Sequence, residues 1–294
     1  MGTVVSWNGQ SLSPALFVRL SFAVAATILV TSDHARDSAG MTYVYPVVSR
    51  RAGGVSIGIN LNPNNACNWH CIYCQVPGLV RGGPPPVDLG LLARELDSLL
   101  NQVLEGDFMA ARVPPDQRRL VDVAISGNGE PTSAPEFPAA VALAADALER
   151  RGLGDGVRLR LITNGSLVDR AYVRQGLERL GAAGGEAWFK VDAGTTAAMG
   201  RVNGVRPSVA SVERRLRACA GLCATWVQTC IFAFDGRPPA EAEVAALLAL
   251  LGRVADVIGG VHLYGLARPS AQAEAPRLTA LPVAWLEKLA ERMR

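Results

Sequence analysis

No cysteine precedes Cys67 in this chain of 294 residues, and lysine is nearly missing: Lys190 and Lys288 are the only two among 29 basic residues. With a formal charge of only +3 and no dense Lys/Arg run, a nucleic-acid-binding surface of the electrostatic kind is not indicated. The six cysteines, three clustered and three scattered, do not form the pattern of a secreted disulfide framework. A reducing, cytoplasmic compartment is therefore expected. A membrane-spanning run is lacking as well. The apolar stretch 16–30 contains Arg19 and is short for a bilayer, so no membrane partner is expected. It also lacks the small-residue cleavage site that a signal peptide needs. We expect residues 1–40 to be an N-terminal extension, with Met41 as the true start and 41–294 as a single domain. An extra strand or helix is the other reading of 16–30.

What is present is a 49 % hydrophobic chain, enough for a large core without disulfide staples, and a repeating strand–helix rhythm. β-branched runs predict strands over 55–62, 120–126, 158–162, 187–191, 225–232 and 257–263. Leucine or alanine at helical spacing predicts helices over 89–104, 139–151, 169–180, 208–222, 240–251 and 283–293, the first capped by Asp88. No sequence repeat underlies this rhythm. Alternating βα units imply a parallel sheet with right-handed crossovers, and six of them suit a partial (β/α)6 barrel, an α/β fold. In such barrels function gathers where strands end and loops begin. The unusual residues sit at those places: Cys67, Cys71 and Cys74 after the first strand, Ser126–Pro131 (SGNGEP) after the second, Thr163–Gly165 (TNG) after the third, and DAGT from Asp192 after the fourth.

Cys67, Cys71 and Cys74 stand at C-x3-C-x2-C spacing within eight residues. Thiolates bind soft metals, and iron–sulfur clusters are held mainly by cysteine. Three ligands leave one iron of a four-iron cluster open, which suits a site that binds a substrate. A Cys3His zinc site using His70 is the competing reading, weakened because His70 directly adjoins Cys71.

C-x3-C-x2-C with an aromatic, Tyr73, before the last cysteine, following the first strand of a six-unit βα chain, resembles the radical S-adenosylmethionine (SAM) superfamily. The resemblance implies that Cys67, Cys71 and Cys74 hold a [4Fe–4S] cluster whose fourth iron is chelated by SAM. It further implies reductive cleavage of SAM to a 5′-deoxyadenosyl radical that abstracts hydrogen from a substrate. SGNGEP resembles the family's glycine-rich motif, which would place Gly127, Asn128, Gly129, Glu130 and Pro131 at the cofactor, the acidic residue and backbone carbonyls receiving its ammonium group. Asn128 stands where glycine is more usual. The same resemblance puts Thr163 and Asn164 near ribose or carboxylate and Tyr73 near the adenine. Lys190 and Asp192 flank Val191 and should share a face, as a salt-bridged barrel pair or as catalytic or cofactor contacts.

PVVSRRAGGVSIGINLNP before the cysteines, SGNGEPT, and HLYGLARPSAQAE near the end are similar to relatives of the wyosine-base synthetases, which act on transfer RNA. Those carry a second cluster on upstream cysteines, and this chain has none there, so the likeness implies kinship and leaves the reaction open. The expected partners are a reductant such as flavodoxin or ferredoxin and a substrate that is either RNA, transfer RNA being one candidate, or a small metabolite. A glycyl-radical-enzyme activase is a second reading, and a non-enzymatic metal-binding or electron-transfer module a third. Trp69, Tyr264, Gln228, Arg201, Asn203 and Arg268 are candidates to line the substrate space. Cys219, Cys223 and Cys230 are either core residues or ligands of an auxiliary cluster. His262 reads as a barrel histidine, and His34 carries no signal.

Overall fold

The computed structural model describes residues 40–49 and 53–294, together with Leu29. Of the expected extension 1–40, all but Leu29 and Gly40 lies outside the described residues, as does His34, and the start at Met41 stays an expectation. Leu29 is buried in the core, and its N–H donates to the Arg112 carbonyl at 2.8 Å.

Seven strands form one sheet in chain order: β1 Val44–Ser49, β2 Gly54–Ile59, β3 Leu120–Ile125, β4 Arg158–Thr163, β5 Glu186–Lys190, β6 Ala224–Cys230 and β7 Val261–Tyr264. From β2 to β7 every neighbouring pair is parallel. The helices are α1 Leu89–Leu104, α2 Phe108–Arg112, α3 Phe137–Glu149, α4 Ala171–Ala182, α5 Thr196–Val202, α6 Val209–Ala220, α7 Glu241–Val254 and α8 Val283–Arg292. Asp88 caps α1 as expected, its Oδ1 accepting from Leu91 N at 2.9 Å. Among the described residues, no helix is long and apolar enough to cross a membrane.

Strand alternation divides the residues cleanly. Val55, Ile57 and Ile59 of β2, Val123 and Ile125 of β3, and Leu159 and Leu161 of β4 belong to the core cluster, with the buried faces of α1, α3 and α4. The residues between them turn to the other face and line a cavity of about 770 Å³. Tyr45 of β1 and Tyr264 of β7 line that same cavity from opposite edges of the sheet. The sheet is therefore curled into a partial barrel, with the cavity as its lumen.

Of the elements that differ from expectation, α2 among them, two bear on the site. β1 is an antiparallel strand on the edge of the parallel sheet, paired Tyr45 to Gly58 and Pro46 to Ile57. Proline is tolerated there because an edge strand leaves one row of N–H groups outside the ladder. Gly58 is required opposite it, since a Cβ at that position would lie 2.1 Å from the Tyr45 ring. The start of β1 is fixed by Glu95 of α1, whose carboxylate accepts from the N–H groups of Thr42, Tyr43 and Val44 at 2.7–3.2 Å. The second difference is α5, a short helix inside the stretch 192–204 that reads as a loop in sequence. Thr195 caps it by accepting from Ala198 N.

Candidate active site

The cysteines lie on the long loop that leaves β2. Its first turn is held by two buried asparagines: Asn60 Oδ1 accepts from Asn62 N and Asn128 N at 3.1 and 3.0 Å, and Asn62 Nδ2 donates to the Ala66 carbonyl at 3.0 Å. Asn65 adopts a left-handed backbone, φ 57°, which asparagine tolerates better than most residues. Ala66–Cys67 then pair in parallel with Val80–Arg81 and close the loop on itself. α5 latches the middle of the loop, because its last carbonyls, Val202 O and Asn203 O, accept from Ile72 N and His70 N at 2.9 and 3.1 Å.

Cys67, Cys71 and Cys74 are unpaired thiols, and all three line the lumen cavity. Among the described residues no three His, Cys, Asp or Glu side chains converge tightly enough to hold a single metal ion. A [4Fe–4S] cluster asks for less convergence, since each thiolate binds a different iron. Burial pushes the Cys67 thiol up to about 11, and burial followed by the nearby Asp192 carboxylate pushes Cys71 up to about 12. Taking up metal at either would release a proton.

Across from the cysteines runs the 127–131 segment. Gly129 approaches the cysteine loop so closely that a Cβ would sit 2.0 Å from the Ala66 carbonyl oxygen. Asn128 bridges to the same loop, its Nδ2 donating to Asn65 Oδ1 at 2.6 Å. Glu130 is 2 % exposed. Its Oε1 accepts from Thr132 N, Thr132 Oγ1 and Thr163 Oγ1 at 3.2, 2.6 and 2.6 Å, and its Oε2 from Asn164 N at 2.6 Å. Burial raises its pKa despite these donors. The carboxylate thus staples the exit of β3 to that of β4. Asn164 Nδ2 continues the chain of contacts to Asn68 Oδ1 at 2.8 Å, so three strand exits are tied together. Glu130 and Asn164 are bonded largely within the protein and, with Gly127, Asn128 and Gly129, line the cavity.

Lys190 and Asp192 lie together at the top of β5. Asp192 Oδ1 accepts from Cys230 N at 2.9 Å; its Oδ2 accepts from Asn203 Nδ2 at 2.7 Å and from the Tyr73 hydroxyl. Lys190 Nζ donates to the Tyr264 hydroxyl at 2.9 Å, lies 4.0 Å from Asp192 Oδ1, and stands 5.0 Å from the centre of the Tyr73 ring. Burial disfavours its charge most strongly of any one cause, but Asp192 followed by Tyr264, Cys71 and Cys230 together outweigh it, and its pKa is raised. Asn203 Nδ2 also reaches Cys71 Sγ at 3.3 Å, so one amide connects the cysteine loop to Asp192.

The lumen floor is a self-contained polar layer. Asp122 accepts from Ser56 and pairs with Arg160, whose Nε donates to Glu186 Oε1 at 2.6 Å. His262 stacks on Trp226, ring centres 5.0 Å apart, and meets Trp188 at a tilt, 4.6 Å away, as a barrel histidine should.

Of the residues expected to line the substrate space, Trp69, Tyr264, Gln228 and Arg268 line the lumen cavity. Arg201 does not: α5 turns it outward, more than half exposed, into an ion pair with Glu243 of α7. Asn203 is 1 % exposed and works from behind the site. An auxiliary cluster on Cys219, Cys223 and Cys230 is not formed. Cys230 lies beside Ile72, Tyr73 and Phe232, whereas Cys219 and Cys223 are buried in the separate core cluster on the other face of the sheet.

Sequence reasoning passed over Ser270 and Gln272. Ser270 Oγ, Ala271 N and Gln272 Nε2 all donate to the Cys74 carbonyl at 2.9–3.1 Å, and Gln272 Nε2 also reaches the Val76 carbonyl at 2.8 Å. The segment after β7 therefore grips the cysteine loop. Both residues fall within the HLYGLARPSAQAE stretch, but no spacing pattern marks them individually. Gln272→Ala should remove two hydrogen bonds, cost about 1–3 kcal/mol, and speed amide exchange across residues 268–279. Unchanged exchange there would show that the grip is incidental.

A model of the radical SAM superfamily matches residues 61–249, well over half the chain. The chain belongs to the radical SAM superfamily. No curated protein matches it in sequence. Solved structures similar to it in fold include two at a TM-score of 0.55. One is a structure of TYW1 with a lysine–pyruvate adduct bound, at 18 % identity and TM-score 0.55, covering 81 % of this chain and 72 % of that one. The other is a radical SAM methyltransferase from Sphaerobacter thermophilus, at 14 % identity and TM-score 0.55, covering 85 % and 66 %. Radical SAM proteins use a [4Fe–4S] cluster and SAM, and their enzymes draw electrons from an external reductant. The residues here fit that pair: three soft thiol donors line one cavity, and beside them run Gly127, Asn128 and Gly129, the two glycines packed so closely on Asn60 and Ala66 that their backbone, not a side chain, borders the site.

Proposed function

We propose that this radical SAM protein is an enzyme that reductively cleaves SAM and abstracts hydrogen from a substrate held in the barrel lumen. When bound, the cluster and SAM together supply a 5′-deoxyadenosyl radical, the hydrogen-abstracting agent. Cys67, Cys71 and Cys74 are the proposed cluster ligands. Tyr73, Gly127, Asn128, Gly129, Glu130, Thr163 and Asn164, which border the cavity, and Pro131 next to them are proposed to contact SAM, with Glu130, Thr163 and Asn164 also holding the facing loop in shape. Lys190, kept protonated by Asp192, presents a fixed positive charge to the lumen. The observation that carries this reading is that the three thiols, the glycine-containing loop and Lys190 all border one cavity of about 770 Å³. A partly enclosed lumen suits a small organic molecule or a single base. Flavodoxin or ferredoxin is the proposed electron donor. If the substrate is transfer RNA, retention on it at low salt should fall steeply as salt rises.

The test is anaerobic turnover of the reconstituted protein with dithionite and SAM, measuring 5′-deoxyadenosine. Wild type should form it. Cys71→Ala should form none above the protein-free control while keeping its circular dichroism, because Cys71 lies on a loop outside the main core. Equal product from Cys71→Ala would refute the reading.

A further inference from the structure

The outer side of the cysteine loop carries positive charge without acidic partners. Neither 60–87 nor 193–212 contains an aspartate or glutamate. Arg81 and Arg206 are exposed within these two segments. Arg81 donates to two backbone carbonyls, Asn68 O at 2.9 Å and Gly204 O at 2.5 Å, and so joins the segments. Arg206 lies along Gly200 of α5, where an added Cβ would be 3.1 Å from its Nε. Among the described residues neither guanidinium has an ion pair.

A second cavity, of about 320 Å³, opens beside these arginines. Trp69, Val205, Pro207 and Val212 give it apolar walls, and Arg215 stands among its lining residues. Arg215 pairs with Asp169, an acid that it shares with Arg214, so positive charge is in excess there too. Trp69 lines both this cleft and the lumen, and its backbone N–H donates to Cys67 Sγ at 3.4 Å. Val80, 52 % exposed, adds apolar surface next to Arg81. Its strand is bonded to the cysteine loop, Gly82 N donating to the Cys67 carbonyl at 3.1 Å. Cationic groups, apolar surface and a cleft therefore meet on one face, one residue away from a proposed cluster ligand.

We infer that this face docks an acidic electron-transfer protein, with Arg81 and Arg206 meeting its carboxylates and the Trp69 cleft taking an apolar side chain from it. Charge complementarity steers such encounters, and a filled pocket at the centre anchors them. An RNA backbone is the poorer match. Tight binding of that kind draws on about six to ten phosphate contacts, and these two segments offer two cations without acidic partners. On docking, the donor is oxidised by one electron and the cysteine-held cluster reduced by one; no bond or proton changes hands. Such a partner is needed only if SAM is cleaved reductively, so the docking face rests on the function proposed above.

The experiment is anaerobic titration of the reconstituted holoenzyme with a flavodoxin and, separately, a plant-type ferredoxin, both acidic, read by biolayer interferometry without SAM. At least one should bind, and more weakly as salt rises. Arg206→Glu should weaken that binding roughly tenfold or more, whereas Arg206→Lys should bind close to wild type. Arg158→Glu makes the same charge change at the start of β4, away from the strand exits, and should leave binding intact. Arg206→Glu should also slow 5′-deoxyadenosine formation driven by the bound donor while leaving formation driven by dithionite, which needs no docking, unchanged. Binding by neither donor, equal binding by Arg206→Glu, or equal loss in Arg158→Glu would each overturn the docking face. So would dithionite-driven formation that falls as far as donor-driven formation. Transfer RNA retention lost in Arg206→Glu while donor binding persists would assign the face to RNA and overturn it as well. The parent reading is scored separately. Wild type that forms 5′-deoxyadenosine with dithionite but shows no Arg206-dependent docking loses only the docking face. Wild type that docks the donor through Arg206 but cleaves no SAM with dithionite loses the parent function.

Discussion

Asp192→Ala should destabilise the protein by about 3–5 kcal/mol, the usual cost of removing one partner of a buried charge pair. For a chain of this size that corresponds to a fall of roughly 10 °C in melting temperature. The reason is the number of groups left stranded. Asp192 accepts from Cys230 N, Asn203 Nδ2 and the Tyr73 hydroxyl, and it is the acid that faces Lys190 at 4.0 Å. Alanine leaves an ammonium and three donors without their acceptor. The consequences reach the cysteine loop, since Asn203 also touches Cys71 and Tyr73 sits between Cys71 and Cys74. Asp192→Asn keeps an acceptor but loses the charge and should fall between wild type and Asp192→Ala. A thermal melt of Asp192→Ala within 2 °C of wild type, a margin of about 1 kcal/mol, would mean that the network carries no stability.

Gly129→Ala should strip the protein of most of its bound iron after anaerobic reconstitution and cost about 1–3 kcal/mol, as overpacking of a filled site generally does. The added methyl would meet a backbone oxygen, Ala66 O at 2.0 Å, with the Asn62 amide a further obstacle at 2.8 Å. Neither is the loose end of a flexible side chain. Ala66 directly precedes Cys67, so the displacement is passed to a proposed ligand. Gly252 is the control: it lies in α7 with nothing within 4 Å of an added Cβ. Gly252→Ala should stabilise by about 0.5–1 kcal/mol through helix propensity alone. If Gly129→Ala binds iron as wild type does, the close approach of the two loops is not what shapes the site.

The parts of this molecule legible in sequence are those whose signals are local. α1 runs over the expected 89–104 because the capping Asp88 and leucines at helical spacing lie within one stretch. The cysteines and SGNGEP stand out because their spacing is short and strand exits are where such residues collect. β1 was missed because it pairs antiparallel at the sheet edge and contains Pro46, which weakens a strand signal. α5 was missed because seven residues between glycine-containing turns make too short a helical pattern, although Thr195 offered a cap. Arg201 sits in a stretch full of site residues, and only the rotation of α5 carries it outward. The roles of Glu130, Asn203 and Gln272 are invisible in sequence for one reason: their partners lie 33, 132 and 196 residues away. A buried carboxylate beside two glycines reads as a ligand-binding group; what the sequence hides is that it also ties two strand exits together.

The measurement that bears most directly on the central claim is the electron paramagnetic resonance spectrum of the reduced, anaerobically reconstituted protein with and without SAM. The account predicts about four irons per chain, a reduced-cluster signal that changes when SAM is added, and loss of that signal in Cys71→Ala. Zinc in place of iron, or a four-iron signal indifferent to SAM, would contradict it.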